Sequence, residues 1–183
     1  MTPSFPFQRI AVIGTTGTGK STLAAELARR LGVDYLELDA FYWEPNWIVA
    51  PLEVFRERVE AATCGEGWVT DGNYRAVRDI VWARAEAVVW LDYGFWVTLG
   101  RLLRRTWGRI FTQEELWNGN RENIWSQAKI WSQDSLIHWF FKSYWRRKRE
   151  VPPWFEMPEY AHLTVIRFRS PREADQWLRS LVV

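Results

Sequence analysis

Apolar positions along the chain switch repeatedly between short unbroken runs and spacings of three and four. Arg9–Ile13 is a short apolar run ending at a glycine, followed by Thr22–Leu31, where Leu23, Leu27 and Leu31 stand four apart with Ala24 and Ala28 beside them. That order predicts strand, loop and helix. Val33–Leu38 reads as a second strand ending at Asp39, and Pro51 opens a helix whose stripe of Leu52, Phe55, Val59 and Ala62 runs down to about Cys64. Gly67–Thr70 predicts a third strand ending at Asp71, with Val77, Ile80 and Val81 marking a short helix after it. Ala87–Leu91 is apolar without alternation, as a strand covered on both faces requires, and it ends at Asp92.

The second half is more polar. A helix is expected from about Trp96 to Trp107, with Leu99, Leu102, Leu103 and Thr106 on one side, whereas Gly108–Lys129 is interrupted by Asn118-Gly119-Asn120. Ser135–Arg149 resumes the helical pattern and ends in Arg146-Arg147-Lys148-Arg149, charges that suit a helix C-terminus, before Pro152-Pro153 is expected to stop it. Leu163–Phe168 is a fifth strand, and Ser170-Pro171-Arg172-Glu173 carries the cap, first-turn proline and glutamate of a capping box. Strands separated by helices predict an α/β fold, three layers α/β/α around a mostly parallel sheet with right-handed crossovers. Residues 1–183 are expected to form a single domain, with 98–149 as a helical insertion.

Composition narrows the class. The chain has 183 residues, 48% of them apolar and 25% charged, which suits one full hydrophobic core and excludes a disordered tail. A formal charge of +2 is no signature of a nucleic-acid partner. No apolar run approaches the length of a membrane span, and no basic n-region precedes an apolar stretch after Met1, so no membrane partner is expected and a cytoplasmic location is. The lone Cys64 excludes an internal disulfide framework and a cysteine-built zinc site. The many aromatic side chains, 14 of them Trp, read as packing and surface stacking. Charge is unevenly spread: residues 1–97 carry 9 basic and 13 acidic side chains, whereas residues 98–149 carry 11 and 4. That basic segment meets an anion or is a solvated face.

The strongest chemical signal is Gly14-Thr15-Thr16-Gly17-Thr18-Gly19-Lys20-Ser21, followed by Thr22, which fits G-x-x-x-x-G-K-[ST] between a strand and a helix. Such a loop wraps backbone N–H groups around phosphate oxygens at a helix N-terminus. Lys20 is expected to neutralise the β and γ phosphates of a nucleoside triphosphate, and Ser21 to offer its hydroxyl to Mg²⁺. Asp39, Asp71 and Asp92 each follow a strand, so three carboxylates converge on the ligand edge of the sheet, Asp39 and Asp92 as candidates for Mg²⁺ and Asp39 or Asp71 for orienting an acceptor hydroxyl. Each also reads as an ordinary turn or cap residue. Arg101, Arg105 and Arg109, spaced by four, share one helix face and suit a clamp on a transferring phosphoryl group; the plain alternative pairs them with Glu114 and Glu115.

These motifs resemble the adenylate-kinase-like branch of P-loop proteins, most closely the bacterial DNA topology modulation protein (FlaR-like) group. The resemblance runs from Ile10 to Leu178 and is carried by GTTGTGKST from Gly14, Leu38-Asp39 with Phe41-Tyr42-Trp43, Trp68 to Arg75, Trp90-Leu91-Asp92-Tyr93, Arg101 to Arg105, Asn120-Arg121-Glu122 and Arg169 to Arg172. It implies five parallel strands in order 2-3-1-4-5, an ATP site on the loop and a basic helical lid after the fourth strand. By the same resemblance Arg75 grips the acceptor, Arg101 and Arg105 open the lid, and Arg172 lies where such proteins approach adenine. Asn73-Tyr74 departs from the usual aromatic and proline of the acceptor segment, and Phe41–Trp47 is no recognisable mononucleotide helix, so AMP is not implied as acceptor.

The leading reading is therefore an ATP- and Mg²⁺-dependent kinase acting on an unidentified small acceptor. The others are a regulatory ATP- or GTP-hydrolysing switch, a topology-modulation-type protein without a small acceptor, and a nucleic-acid-associated protein, which the acidic balance of residues 1–97 disfavours. The pattern leaves oligomeric state open.

Overall fold

Five strands form one parallel sheet: β1 (Arg9–Gly14), β2 (Asp34–Glu37), β3 (Trp68–Asp71), β4 (Ala87–Leu91) and β5 (Thr164–Phe168), ordered β2-β3-β1-β4-β5. The computed structural model describes residues 5–112, 117–120 and 136–181. Helices α1 (Lys20–Leu31), α2 (Leu38–Tyr42), α3 (Leu52–Ala62), α4 (Arg78–Arg84), α5 (Phe95–Thr112), α6 (Leu136–Trp154) and α7 (Pro171–Ser180) connect and cover the strands. This is the three-layer α/β/α arrangement with the expected 2-3-1-4-5 order.

Central position explains the unbroken apolar character of β1. It pairs with β3 on one side, Arg9 beside Trp68, and with β4 on the other, Ile10 beside Ala87. Successive side chains then enter opposite layers. Ala11 and Ile13 pack with Phe55, Val59, Val81, Trp82 and Trp90, while Ile10 and Val12 pack with Leu23, Leu27, Val89 and Phe168. Fully burying one such aliphatic side chain is worth about 1.5–3 kcal/mol, so both faces of β1 contribute to its rigidity. That rigidity carries forward to Gly14, where the phosphate loop begins.

Helix α5 runs past the expected Trp107 to Thr112, and four other features differ from the pattern for a local reason. Pro51 stands before α3 rather than inside it: its ψ is 143° and its carbonyl accepts the first helical bond, from Phe55 N at 2.9 Å. The second strand ends at Glu37, and Asp39 lies instead in the first turn of α2. Pro152 and Pro153 do not end α6, which continues to Trp154 and unwinds through i→i+3 bonds from Phe155 to Pro152 and from Glu156 to Pro153, at 3.1 and 3.2 Å. Those carbonyls need no proline N–H, and buried Val151 anchors the turn. In the α7 cap, Ser170 Oγ accepts from Glu173 N at 3.3 Å, but Glu173 reaches back to Arg169 N at 2.9 Å, one residue earlier than a strict capping box.

The expected lid and insertion, 98–149, fall partly on residues 113–116 and 121–135, outside the described residues, as do Glu114, Glu115, Arg121 and Glu122. What is described there is α5, α6 and the segment 117–120. Leu102 of α5 packs against Phe140 and Tyr144 of α6. Among the described residues no helix is long and apolar enough to cross a membrane.

Candidate active site

The loop from Gly14 to Ser21 closes on itself. Thr18 donates from both its backbone N, at 3.2 Å, and its Oγ1, at 2.8 Å, to the carbonyl of Thr15. Gly17 has φ +86°, and a Cβ there would come within 2.8 Å of Leu102 Cβ and Thr98 O, so α5 seats directly on the loop. Gly19, at φ 89°, caps α1 without any side-chain cap. The first-turn N–H groups of α1 thus keep their capacity for an anion, which is what a polyphosphate requires.

Lys20 extends under this loop, its Nζ 3.4 Å from Thr15 O. Burial holds the ammonium down from 10.5 to about 8; Arg147 and Arg105 push the same way, while Asp71 and Asp39 oppose. Ser21 Oγ donates to Asp71 Oδ2 at 2.5 Å. Asp71 is 4% exposed, and its other oxygen, Oδ1, is buried without a hydrogen-bond partner. Burial raises the pKa of this carboxyl, against the opposing pull of Ser21 and Lys20. A hydroxyl paired with a carboxylate that still holds an unsatisfied oxygen fits a Mg²⁺ ion brought in on phosphates. Among the described residues no cluster of three or more His, Cys, Asp and Glu offers a separate cage.

Arginines from two helices approach the loop. Arg105 Nη2 donates to Thr16 Oγ1 at 3.2 Å, and Arg101 Nη2 lies 3.5 Å from where a Cβ on Gly19 would stand. Arg109 is on the same helix, with its side chain outside the described part. Arg147, on α6, donates to Gly14 O at 3.5 Å, and burial lowers its pKa, with Arg146 second. Sequence reasoning missed Arg147 by reading it among charges that suit a helix C-terminus. The usable signal was helical period: Phe140, Ser143 and Tyr144 are buried, and Arg147 and Val151 continue that inward stripe.

Asp39 faces the same centre from α2. Tyr74 donates its hydroxyl to Asp39 Oδ1, Asn73 Nδ2 donates to Gly14 O at 2.5 Å, and Asp39 acts electrostatically on both Lys20 and Arg147. Arg75 is exposed close by, and the nearby carboxylate Asp79 is held by Arg56 at 2.7 and 2.9 Å. Asp92 has different company. Its carboxylate is 5% exposed and takes Lys148 at 3.1 Å on one oxygen and Arg167 on the other, while Ser21 is bonded to Asp71. Asp92 thereby ties α6 to β5. Thr22 and Arg172 are exposed in the first turns of α1 and α7.

A strap covers the loop after α2. Trp43–Glu44 and Ile48–Val49 pair as a two-residue antiparallel ribbon. Asn120, 3% exposed, accepts from Trp47 N at 2.8 Å and donates to Glu44 O at 2.9 Å, and Asn118 Nδ2 reaches Trp43 O at 2.5 Å. Asn46, Trp47 and Asn118 all have positive φ, 63°, 58° and 54°. Trp47 is the outlier of the three, because asparagine visits this region readily and a bulky ring does not.

Comparison with known proteins agrees with this geometry at the level of fold. No family model matches the chain. A cytidylate kinase from Mycoplasmoides gallisepticum is 40% identical over 73 residues, which are 36% of this chain and 33% of the relative, so the match spans about a third of that protein. A gluconokinase structure from Sinorhizobium meliloti 1021 superposes with TM-score 0.52 at 20% identity, covering 98% of this chain and 95% of the other. A shikimate kinase from Bacteroides thetaiotaomicron gives TM-score 0.54 at 17% identity over 96% of each chain. The Acinetobacter baumannii shikimate kinase, solved in complex with shikimate, gives 0.52 at 18% over 95% and 92%. The chain thus has the P-loop fold of the nucleoside-monophosphate-kinase-like type. Nothing in these likenesses singles out the topology modulation group.

Proposed function

We propose that this protein is an ATP- and Mg²⁺-dependent phosphotransferase that moves the γ-phosphoryl group to a small acceptor. One observation carries the reading: Asp39 lies in the same electrostatic cluster as the phosphate-loop Lys20 and the inward Arg147, with Tyr74 bonded to it. A hydrolytic switch needs the loop; a transferase also needs a carboxylate placed to orient an acceptor hydroxyl.

In this reading the loop amides and Lys20 hold the triphosphate, and Ser21 with Asp71 holds Mg²⁺. Asp39, released from Tyr74, accepts the hydrogen bond of the acceptor hydroxyl and receives its proton as transfer proceeds. Arg101, Arg105 and Arg147 stabilise the charge that spreads over the transferring oxygens. Arg75 holds the acceptor at its exposed end, and Arg109 and Arg172 belong to the nucleotide side. Asp92 takes no part in metal binding, since two cations already occupy its oxygens. In this reading 1–183 is one domain, and helix α5 forms part of the cover over the phosphates.

The test is ADP formation from ATP and Mg²⁺ against a panel of nucleotides, nucleosides, sugar acids and polyols, with free phosphate followed in parallel. ADP that appears only with an acceptor, without matching free phosphate, is the expected result. Equal ADP and phosphate with no acceptor dependence would assign hydrolysis instead.

A further inference from the structure

We infer that the pocket beside the phosphate loop is an anion subsite built on Arg78, which receives a carboxylate or phosphate group of the acceptor. The word acceptor rests on the phosphotransfer reading; the anion site itself does not. Arg78 opens α4, and its guanidinium carbon lies 3.9 Å from the ring centre of Trp154 and 5.7 Å from that of Trp82. Stacking fixes the plane of the guanidinium but supplies no hydrogen-bond acceptor. Its Nε and Nη1 are buried and have no hydrogen-bond partner among the described residues.

Two nearby arginines show how this molecule treats a guanidinium with a structural task. Arg56 donates to Ala76 O and to both oxygens of Asp79. Arg84 donates to Glu60 O, to Thr63 Oγ1 and to the Glu60 carboxylate. Arg78, between them in sequence, is denied both: its neighbouring carboxylate Asp79 is engaged by Arg56. A buried cation with unmet donors is costly to leave so, and an anionic ligand removes that cost.

The pocket's position connects this cation to the reacting centre. Arg78 shares its lining with Leu38, Gly72, Asn73, Tyr74 and Arg75. Asn73 holds the Gly14 carbonyl and Tyr74 holds Asp39, so the segment 72–75 is the common wall of pocket and phosphate loop. An acceptor whose hydroxyl faces Asp39 would direct only its acidic group into this small pocket, toward Arg78, with Arg75 at the exposed rim.

The test needs no turnover. The full chain is saturated with Mg²⁺ and a non-hydrolysable ATP analogue, so that the phosphate loop is filled, and is then titrated at constant ionic strength with inorganic phosphate or with acetate. The Arg78 Nε–H resonance, assigned by its disappearance in Arg78→Lys, reports the site. At least one anion is expected to shift it saturably, with affinity falling tenfold or more in Arg78→Gln and analogue affinity unchanged. A response to phosphate marks a phosphorylated acceptor, and a response to acetate marks a carboxylic acid. If neither anion moves the resonance, or if Arg78→Gln binds them as the parent does, the subsite is refuted; should that variant fail to fold, the titration of the parent protein decides alone. Failure of acceptor-dependent ADP formation would sink the phosphotransfer reading while leaving this result standing.

Discussion

The two halves of the candidate site are built in opposite ways. The donor half is one continuous stretch, Gly14 to Ser21, whose shape comes from its own glycines and from bonds within the loop, such as Thr18 to Thr15. The proposed acceptor half is assembled from α2, the segment after β3, α6 and the strap at 117–120, and nearly every contact in it joins residues far apart in sequence. The difference teaches where specificity resides. A self-contained loop recognises a group common to all nucleoside triphosphates, whereas an assembled pocket changes its ligand when any of its elements changes.

Breaking the donor half should have the largest effect. Lys20→Ala is expected to lower ATP turnover about 100- to 1000-fold, the scale on which one preorganised charge-stabilising donor acts, with far-UV circular dichroism unchanged. Turnover kept in a folded variant would move the donor site elsewhere. Arg75→Ala should instead spare ATP affinity and lower acceptor kcat/KM about tenfold, through the lost grip of an exposed cation. Steady-state kinetics with both substrates varied checks this, and a defect confined to ATP would remove Arg75 from the acceptor half.

A smaller effect distinguishes the halves by pH. Burial holds Lys20 down at about 8, and phosphate oxygens favour its charged form, so ATP binding above that pH takes up a proton. Affinity therefore falls as pH rises through about 8, by several-fold and at most tenfold per unit. In the free protein the sign is reversed. Between about 8 and 10.5 the unfolded chain binds a proton that folded Lys20 does not, so stability rises with pH across that window. Calorimetry in buffers of differing ionisation heat would show the uptake; its absence, or affinity rising with pH, would contradict this account of Lys20.

What was legible in the sequence follows the same division. The loop, the strands and the α7 cap announce themselves through spacings of one to four residues, because their physics is local. Asp39 was read as a residue after a strand, whereas it lies in a helical turn that the run Leu38–Tyr42 did not advertise. Arg147 was read only as one of the charges that suit a helix C-terminus because the partner that gives it meaning, Gly14, is 133 positions away. Asp92 was read as a metal candidate on position alone; Lys148 and Arg167, its actual partners, come from distant elements. Pro152 and Pro153 looked like a stop because their effect was weighed without the buried Val151 beside them. For Arg147, Asp92 and the proline pair the missing information was tertiary packing rather than a propensity.

The claim that the two halves form one transferase is tested most directly by Asp39→Asn, with ADP and free phosphate measured together in the presence and absence of a working acceptor. The account predicts that acceptor-dependent ADP formation falls at least 100-fold, in the range seen for loss of a positioned general base, while ATP affinity and any slow background hydrolysis stay at the parent level. Undiminished transfer by a folded Asp39→Asn protein would contradict it.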